Sequence, residues 1–226
     1  MSSVIFDIET LAFDLSSFDE TQQTYLLKFA DTDEKREQET QKLSLYALTS
    51  RIIAIAMLNP DTMAGKVFFQ SDREEAYASE NGKIEFRSGD EREILLGFWD
   101  AIARYDRFVT FNGRSFDCPF LLIRSAILQI RPTRNLLPYR YSTSEHCDLL
   151  DQLTFHGATR KFNLDFYCKA FGIKSPKSGG ITGLDLGTMF EKKRFREIAN
   201  YCLGDVVATS ELYQRWSEYL NFETRT

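Results

Sequence analysis

Residues 4–10 read Val-Ile-Phe-Asp-Ile-Glu-Thr, and this run decides the fold. Apolar residues surround Asp7 and Glu9, as in a buried β-strand over residues 3–9. Side chains two apart on a strand leave the same face, so both carboxylates point to one side of a core element. Buried carboxylates cost free energy unless positive charge meets them, and divalent cations are the usual answer. The same pair also fits a strand end facing solvent, so it does not make a site alone.

The rest of the chain alternates strands and helices. Residues 51–58 and 65–70 are β-rich, and Asn59-Pro60-Asp61 between them is turn chemistry, which predicts a hairpin. Residues 72–90 are polar, with turn signals at Asn81-Gly82 and Ser88-Gly89-Asp90. Helical spacing over 90–104 places Ile94, Leu95, Phe98, Trp99 and Ile102 on one face. A strand follows at 107–111, then a helix over 117–128 with Pro119 in its first turn. The pattern continues with an irregular basic connection over 129–144, a strand over 146–150 and a helix over 164–171 ended by Gly172. A Gly-, Ser- and Pro-rich loop over 174–187 precedes a long helix over 195–219. Such alternation indicates an α/β domain. Residues 11–44 break it: they are polar and acid-rich, and read as an insertion with helical pieces.

A chain of 226 residues fits one domain spanning 1–226, and 43% hydrophobic content can build a sizeable core. No run reaches the roughly 18 apolar residues of a membrane span, and no secretory signal is visible. Cys118, Cys147, Cys168 and Cys202 are scattered without a CxxC pair, which suits free thiols in a reducing, cytoplasmic compartment. The net charge of −5 argues weakly against a general nucleic-acid binder, yet the charge is uneven. Residues 118–200 carry 13 Lys/Arg against 7 Asp/Glu. Such a segment is either a phosphate footprint or a solvated face.

Two further acidic positions complete a constellation. Asp117 lies in Val-Thr-Phe-Asn-Gly-Arg-Ser-Phe-Asp-Cys-Pro-Phe-Leu, residues 109–121, where a strand passes through a glycine turn into a helix. Ligands of open α/β sheets gather at such carboxyl ends, although an Asp there is also an ordinary helix N-terminal residue. Tyr201 and Asp205 are four apart in the last helix and share a face. An exposed Asp with a core Tyr is the plainer alternative.

Together and in this order, the three segments resemble the signatures of the DEDD superfamily of 3′–5′ exonucleases. Asp7 and Glu9 match the first, Asn112, Phe116 and Asp117 the second, and Tyr201 with Asp205 the third. Tyr at that place marks the DEDDy branch, and the wording is most similar to the proofreading domain of family B DNA polymerases. The likeness spans residues 4–216; residues 10–45 depart from it. It implies a ribonuclease H-like fold, a mixed central sheet flanked by helices, in a free-standing exonuclease domain. It implies two divalent ions, Mg²⁺ or Mn²⁺, held by Asp7, Glu9, Asp117 and Asp205, with Tyr201 orienting the attacking water. Thr10 and Leu11 are expected at the terminal nucleotide, with Asn112 and Phe116 holding the strand; Phe116 is equally well a core residue. The implied partner is the 3′ end of single-stranded nucleic acid, DNA ahead of RNA, in proofreading or repair. An exoribonuclease in the manner of ribonuclease D and a catalytically idle relative are the alternatives.

Other residues attract attention. His146-Cys147 and His156 lack a second thiolate at zinc spacing. Asp148 ends a strand and has a structural or site-adjacent role. Lys174 and Lys177 sit in the glycine-rich loop. Lys192, Lys193, Arg194 and Arg196 start the last helix, where cations oppose the helix dipole and would suit a phosphate.

Overall fold

The computed structural model describes residues 2–175 and 180–222; Lys177 lies outside them. Its strands are β1 (Ser3–Ala12), β2 (Ser50–Leu58), β3 (Gly65–Gln70), β4 (Ala76–Ala78), β5 (Ile84–Gly89), β6 (Arg107–Thr110) and β7 (His146–Asp148). They form one mixed sheet in the order β4-β5-β3-β2-β1-β6-β7. β1, β2 and β3 are successively antiparallel, and β6 and β7 run parallel to β1 on its other side.

Alternation along β1 sorts its side chains between two cores. Val4, Phe6 and Ile8 face α3 (Glu91–Ile102) and α4 (Asp117–Ile127). Ile5 faces the opposite way, with Ala54, Ala56 and Leu58 of β2, toward α8 (Phe195–Tyr219). Asp7 and Glu9 continue the parity of Ile5 and so face α8. Their cross-strand partners are Ala56 and Ala54, small residues that leave the space above the carboxylates to the helix. The β1–β2 register slips between Glu9 and Thr10, and Ile53 joins Ala54 in the α8-side core, the signature of a bulge.

Sequence patterning accounts for the long elements. In α3 the Asp90 and Glu93 side chains cap one another's backbone N–H at 2.8 Å, and Ile94, Leu95, Phe98, Trp99 and Ile102 are buried. The β2–β3 hairpin turns where Asn59 Oδ1 accepts from the N–H groups of Asp61 and Thr62.

Elsewhere the structure corrects the sequence reading. The polar stretch 72–90 contains β4 and β5; β5 pairs parallel to β3 and buries Ile84, Phe86 and Ser88. The strand expected over 146–150 stops at Asp148, whose carboxylate accepts from Leu150 N–H at 3.0 Å and starts α5 (Leu149–Leu153). The loop expected over 174–187 includes the start of α7 (Leu186–Glu191), which buries Leu186 and Met189. Beside α8, α6 (Leu164–Ala170) adds buried Cys168 to the same core.

The insertion begins later than expected, because β1 runs on to Ala12. It then holds α1 (Glu20–Leu26) and α2 (Asp33–Lys42). Neither helix buries a residue. The anchors are buried Leu43 and Ala47 and the bond from Thr10 Oγ1 to the Ser44 carbonyl at 2.7 Å.

Candidate active site

The turn after β6 is built to deliver Asp117. Asn112 takes a left-handed backbone, φ +64. At Gly113 a Cβ would lie 2.4 Å from Thr110 Oγ1, so the turn closes over Thr110 only with glycine. Asp148, at the end of neighbouring β7, accepts from Asn112 N–H at 3.0 Å and Arg114 N–H at 2.8 Å. One buried carboxylate thus ties the turn to the sheet and caps α5.

β6 pairs with β1 only through Ser3–Ile5, which leaves the edge of β1 open beyond that point. Asp117 Oδ1 fills the gap by accepting from Ile8 N–H at 3.1 Å. The carboxyl group therefore docks on the strand between Asp7 and Glu9. From the other side, Cys202 Sγ donates to the Asp7 carbonyl at 3.5 Å and pins α8 to β1. Tyr201 and Asp205 stand one turn apart on α8, both half-buried.

The carboxylates act on one another. Burial raises the pKa of Asp7 well above the usual carboxylate range, and Asp117, Asp205 and Glu9 raise it further. Burial lifts Asp117 to about 7, opposed by N–H donors and assisted by Asp148 and Asp205. The charged groups that act most strongly on Asp7 and Asp117 are other carboxylates. Burial, then Asp205, Glu9 and Asp7, push the Tyr201 phenol upward, so it stays protonated.

Ligand atoms of Asp7, Glu9 and Cys202 lie within 4.8 Å of one another. The thiol is a poor third ligand, because it donates to a carbonyl and burial with the neighbouring carboxylates raises its pKa. The useful donors are hard carboxylate oxygens, which suit Mg²⁺ or Mn²⁺ rather than a thiophilic metal.

The remaining expected residues divide. Leu11 packs against the α8-side core. Thr10 points to the insertion and its hydroxyl is committed to Ser44. Phe116 is half-buried beside Phe120, with ring centroids 5.5 Å apart. Asn112 sits in the turn above Asp148. His146 Nε2 bonds Thr110 Oγ1 at 2.8 Å, beneath Gly113. At the start of α8, Lys193 pairs with Asp72, Arg194 with Glu197 and Arg196 with Glu75, so these cations are committed within the chain. A cleft of about 570 Å³ between β5 and α3 is lined by Arg73, Arg87 and Glu93 among others and shares no residue with the acidic cluster. Sequence reasoning missed the tether from Cys202 and the double bond from Asp148 to the turn. Only the position of Asp148 at a strand end signalled the latter.

A family described as a predicted 3′–5′ exonuclease related to the exonuclease domain of PolB matches residues 45–221. The chain belongs to this family. Membership supports a nuclease function, and exonuclease domains of this kind use divalent metals. The chain is 30% identical over 118 residues to DNA polymerase 1 of Sulfurisphaera ohwakuensis, a match covering 45% of this chain and 13% of the polymerase. The structure of the family B DNA polymerase from the hyperthermophilic archaeon Pyrobaculum calidifontis superposes with a TM-score of 0.60 at 19% identity. That superposition covers 96% of this chain and 24% of the polymerase. The chain therefore spans a small part of these relatives. The superposition shows the fold, a ribonuclease H-like sheet between helical layers. Among the described residues no helix is long and apolar enough to cross a membrane.

Proposed function

We propose that residues 1–226 act as one 3′–5′ exonuclease domain that removes nucleoside 5′-monophosphates from the 3′ end of single-stranded DNA. The observation that carries this is the acidic cluster around Asp7, where burial and then Asp117, Asp205 and Glu9 raise its proton affinity, and where burial, with Asp205 among the assisting charges, raises that of Asp117. Such a site is completed by exogenous cations.

Asp7, Glu9, Asp117 and Asp205 would hold two divalent ions, Mg²⁺ or Mn²⁺, which when bound supply Lewis-acid stabilisation of the phosphoryl oxygens and acidify water. Asp117 is oriented for this by Ile8 N–H. Asp7 is fixed by its place in β1, where the Cys202 thiol holds the backbone carbonyl. Tyr201, kept protonated, donates a hydrogen bond that orients the attacking water and does not take its proton. Leu11, on the acidic face, and Phe116, at the start of α4, offer apolar surface to the terminal nucleotide. Asn112 holds the strand beside them. Thr10 meets the nucleotide through its backbone, since its hydroxyl bonds Ser44.

The test is gel-resolved digestion of 5′-labelled single-stranded DNA and RNA of matched sequence, with Mg²⁺ or Mn²⁺. The expected result is a descending ladder, faster on DNA, with nucleoside 5′-monophosphates as the released product and no reaction in EDTA. A faster ladder on RNA would make the protein an exoribonuclease. Intact DNA and RNA after incubation with folded, metal-binding protein would sink the enzymatic reading.

A further inference from the structure

An aromatic series leads away from the acidic cluster. Phe111, next to Asn112 in the turn that delivers Asp117, meets Tyr167 of α6 edge-to-face at 5.8 Å. Tyr167 meets Phe162 at 6.3 Å. Phe162 stacks on Phe166 at 4.4 Å and 14°. The series ends in the open, with Phe166 55% exposed. The exposure is built in: the Asn163 side chain caps α6 by accepting from Phe166 N–H at 2.9 Å, while Cys168 on the opposite face is fully buried.

Cations flank the exposed rings. The Arg160 guanidinium lies over Phe162 at 5.0 Å, and exposed Lys161 follows it. Among the described residues neither pairs with an acid, whereas nearby Lys169 and Arg140 pair with Asp165 and Asp151. The acidic insertion is anchored on the other side of the sheet. Residues 13–49 hold eight Asp/Glu against four Lys/Arg and attach through Ala47 on the α3–α4 side of the sheet. α6 packs on α8, on the side that Asp7 and Glu9 face. A polyanionic strand threaded into the cluster is repelled by the insertion and attracted toward α6.

We propose that Arg160, Lys161, Phe162 and Phe166 form a track for single-stranded DNA that binds the nucleotides upstream of the scissile 3′ end. Phe166 presents a ring on which a base stacks, and the two cations contact phosphates. Aromatic surface with adjacent positive charge is how sequence-tolerant single-strand binding is built. The inference rests on the nuclease reading for the strand's direction, but the track binds DNA whether or not the cluster cuts it.

The test measures binding of 5′-fluorescein dT12 and dT3 by anisotropy in EDTA, which separates binding from hydrolysis. Phe166→Ala should weaken dT12 about 5- to 10-fold and leave dT3 unchanged, and Phe166→Trp should restore dT12. Arg160→Gln with Lys161→Gln should reduce the slope of log affinity against log salt by about 1.4. Hydrolysis of the p-nitrophenyl ester of thymidine 5′-monophosphate with Mn²⁺, which reads the acidic cluster alone, should be unchanged in all variants. Wild-type affinity for dT12 in Phe166→Ala and an unchanged salt slope in the double variant would overturn the track. So would an equal loss on dT3 and dT12 that Phe166→Trp does not restore. Failure of the wild type to cleave the ester would count against the nuclease reading alone, since dT12 binding still decides the track.

Discussion

The two faces of β1 and β2 bury charge in opposite ways. On the α3–α4 face, Arg124 and Glu91 form a two-pronged pair at 2.6 and 2.8 Å. Glu91 also accepts from Ile52 N–H and Arg124 donates to the Ala47 carbonyl. That charge is neutralised inside the chain, and it ties the insertion to the core. On the α8 face, Asp7 and Asp117 meet further carboxylates, and their proton affinity rises instead. A fold that neutralises a buried carboxylate on one side holds Asp7 and Asp117 beside further carboxylates on the other, with their proton affinity raised. The first arrangement serves structure; the second is the one that the proposed function assigns to cations.

The largest effect separating the faces is catalytic. Asp7→Asn should lower turnover about a thousandfold or more, while the metal-free protein is as stable as the wild type or more so, because a buried carboxyl group that resists ionisation is replaced by an amide that never ionises. Initial rates on labelled single-stranded DNA, with chemical denaturation alongside, check both halves. Undiminished turnover in folded Asp7→Asn would remove the cluster from the chemistry. Arg124→Ala should do the reverse. It strands Glu91 in the core and should cost about 3–5 kcal/mol in urea unfolding, with the rate per folded molecule retained. Arg124→Met combined with Glu91→Gln should recover part of that loss.

Asp148 lies between the two cases. It is buried, which raises its proton affinity, yet its oxygens accept from the N–H groups of Asn112, Arg114 and Leu150. Asp148→Ala should destabilise by about 1–3 kcal/mol and also slow turnover, because the turn carrying Asp117 loses its support. Stability lost with turnover per folded molecule intact would show that the turn holds without it.

The smallest expected effect is on pH dependence. Asp7 and Asp117 have folded-state pKa values above those of an unfolded chain, Asp117 near 7. At these two groups the metal-free folded protein therefore keeps protons that the unfolded chain releases, and their contribution to stability falls as pH rises from about 4 to about 7. The melting temperature of metal-free wild type, measured relative to Asp117→Asn, should therefore decline across that window. A rise of that difference with pH would contradict the sign.

The sequence made the α8 face more legible than the arrangement that supports it. Asp7 and Glu9 stand in an apolar run of period two, and Tyr201 and Asp205 share a helical face, so their common directions follow from spacing. The delivery of Asp117 to Ile8 N–H depends on where β6 stops pairing with β1, which no local pattern encodes. β5 was hidden because Ile84-Glu85-Phe86-Arg87 alternates between two strong turn signals, and its pairing partner β3 lies 19 residues earlier in register. The tether from Cys202 to the Asp7 carbonyl joins residues 195 apart. The charge run at 192–196 suggested a phosphate, but its acids, Asp72 and Glu75, come from the distant β3–β4 connection.

The most direct test of the comparison is a Mn²⁺ titration followed by thermal melting at pH 7.5, on wild type, Asp7→Asn and Arg124→Ala. Saturable stabilisation of wild type and of Arg124→Ala, lost in Asp7→Asn, is the predicted result. A wild-type melting temperature indifferent to Mn²⁺, or equal stabilisation of Asp7→Asn, would contradict the claim that this carboxylate face is completed by metal.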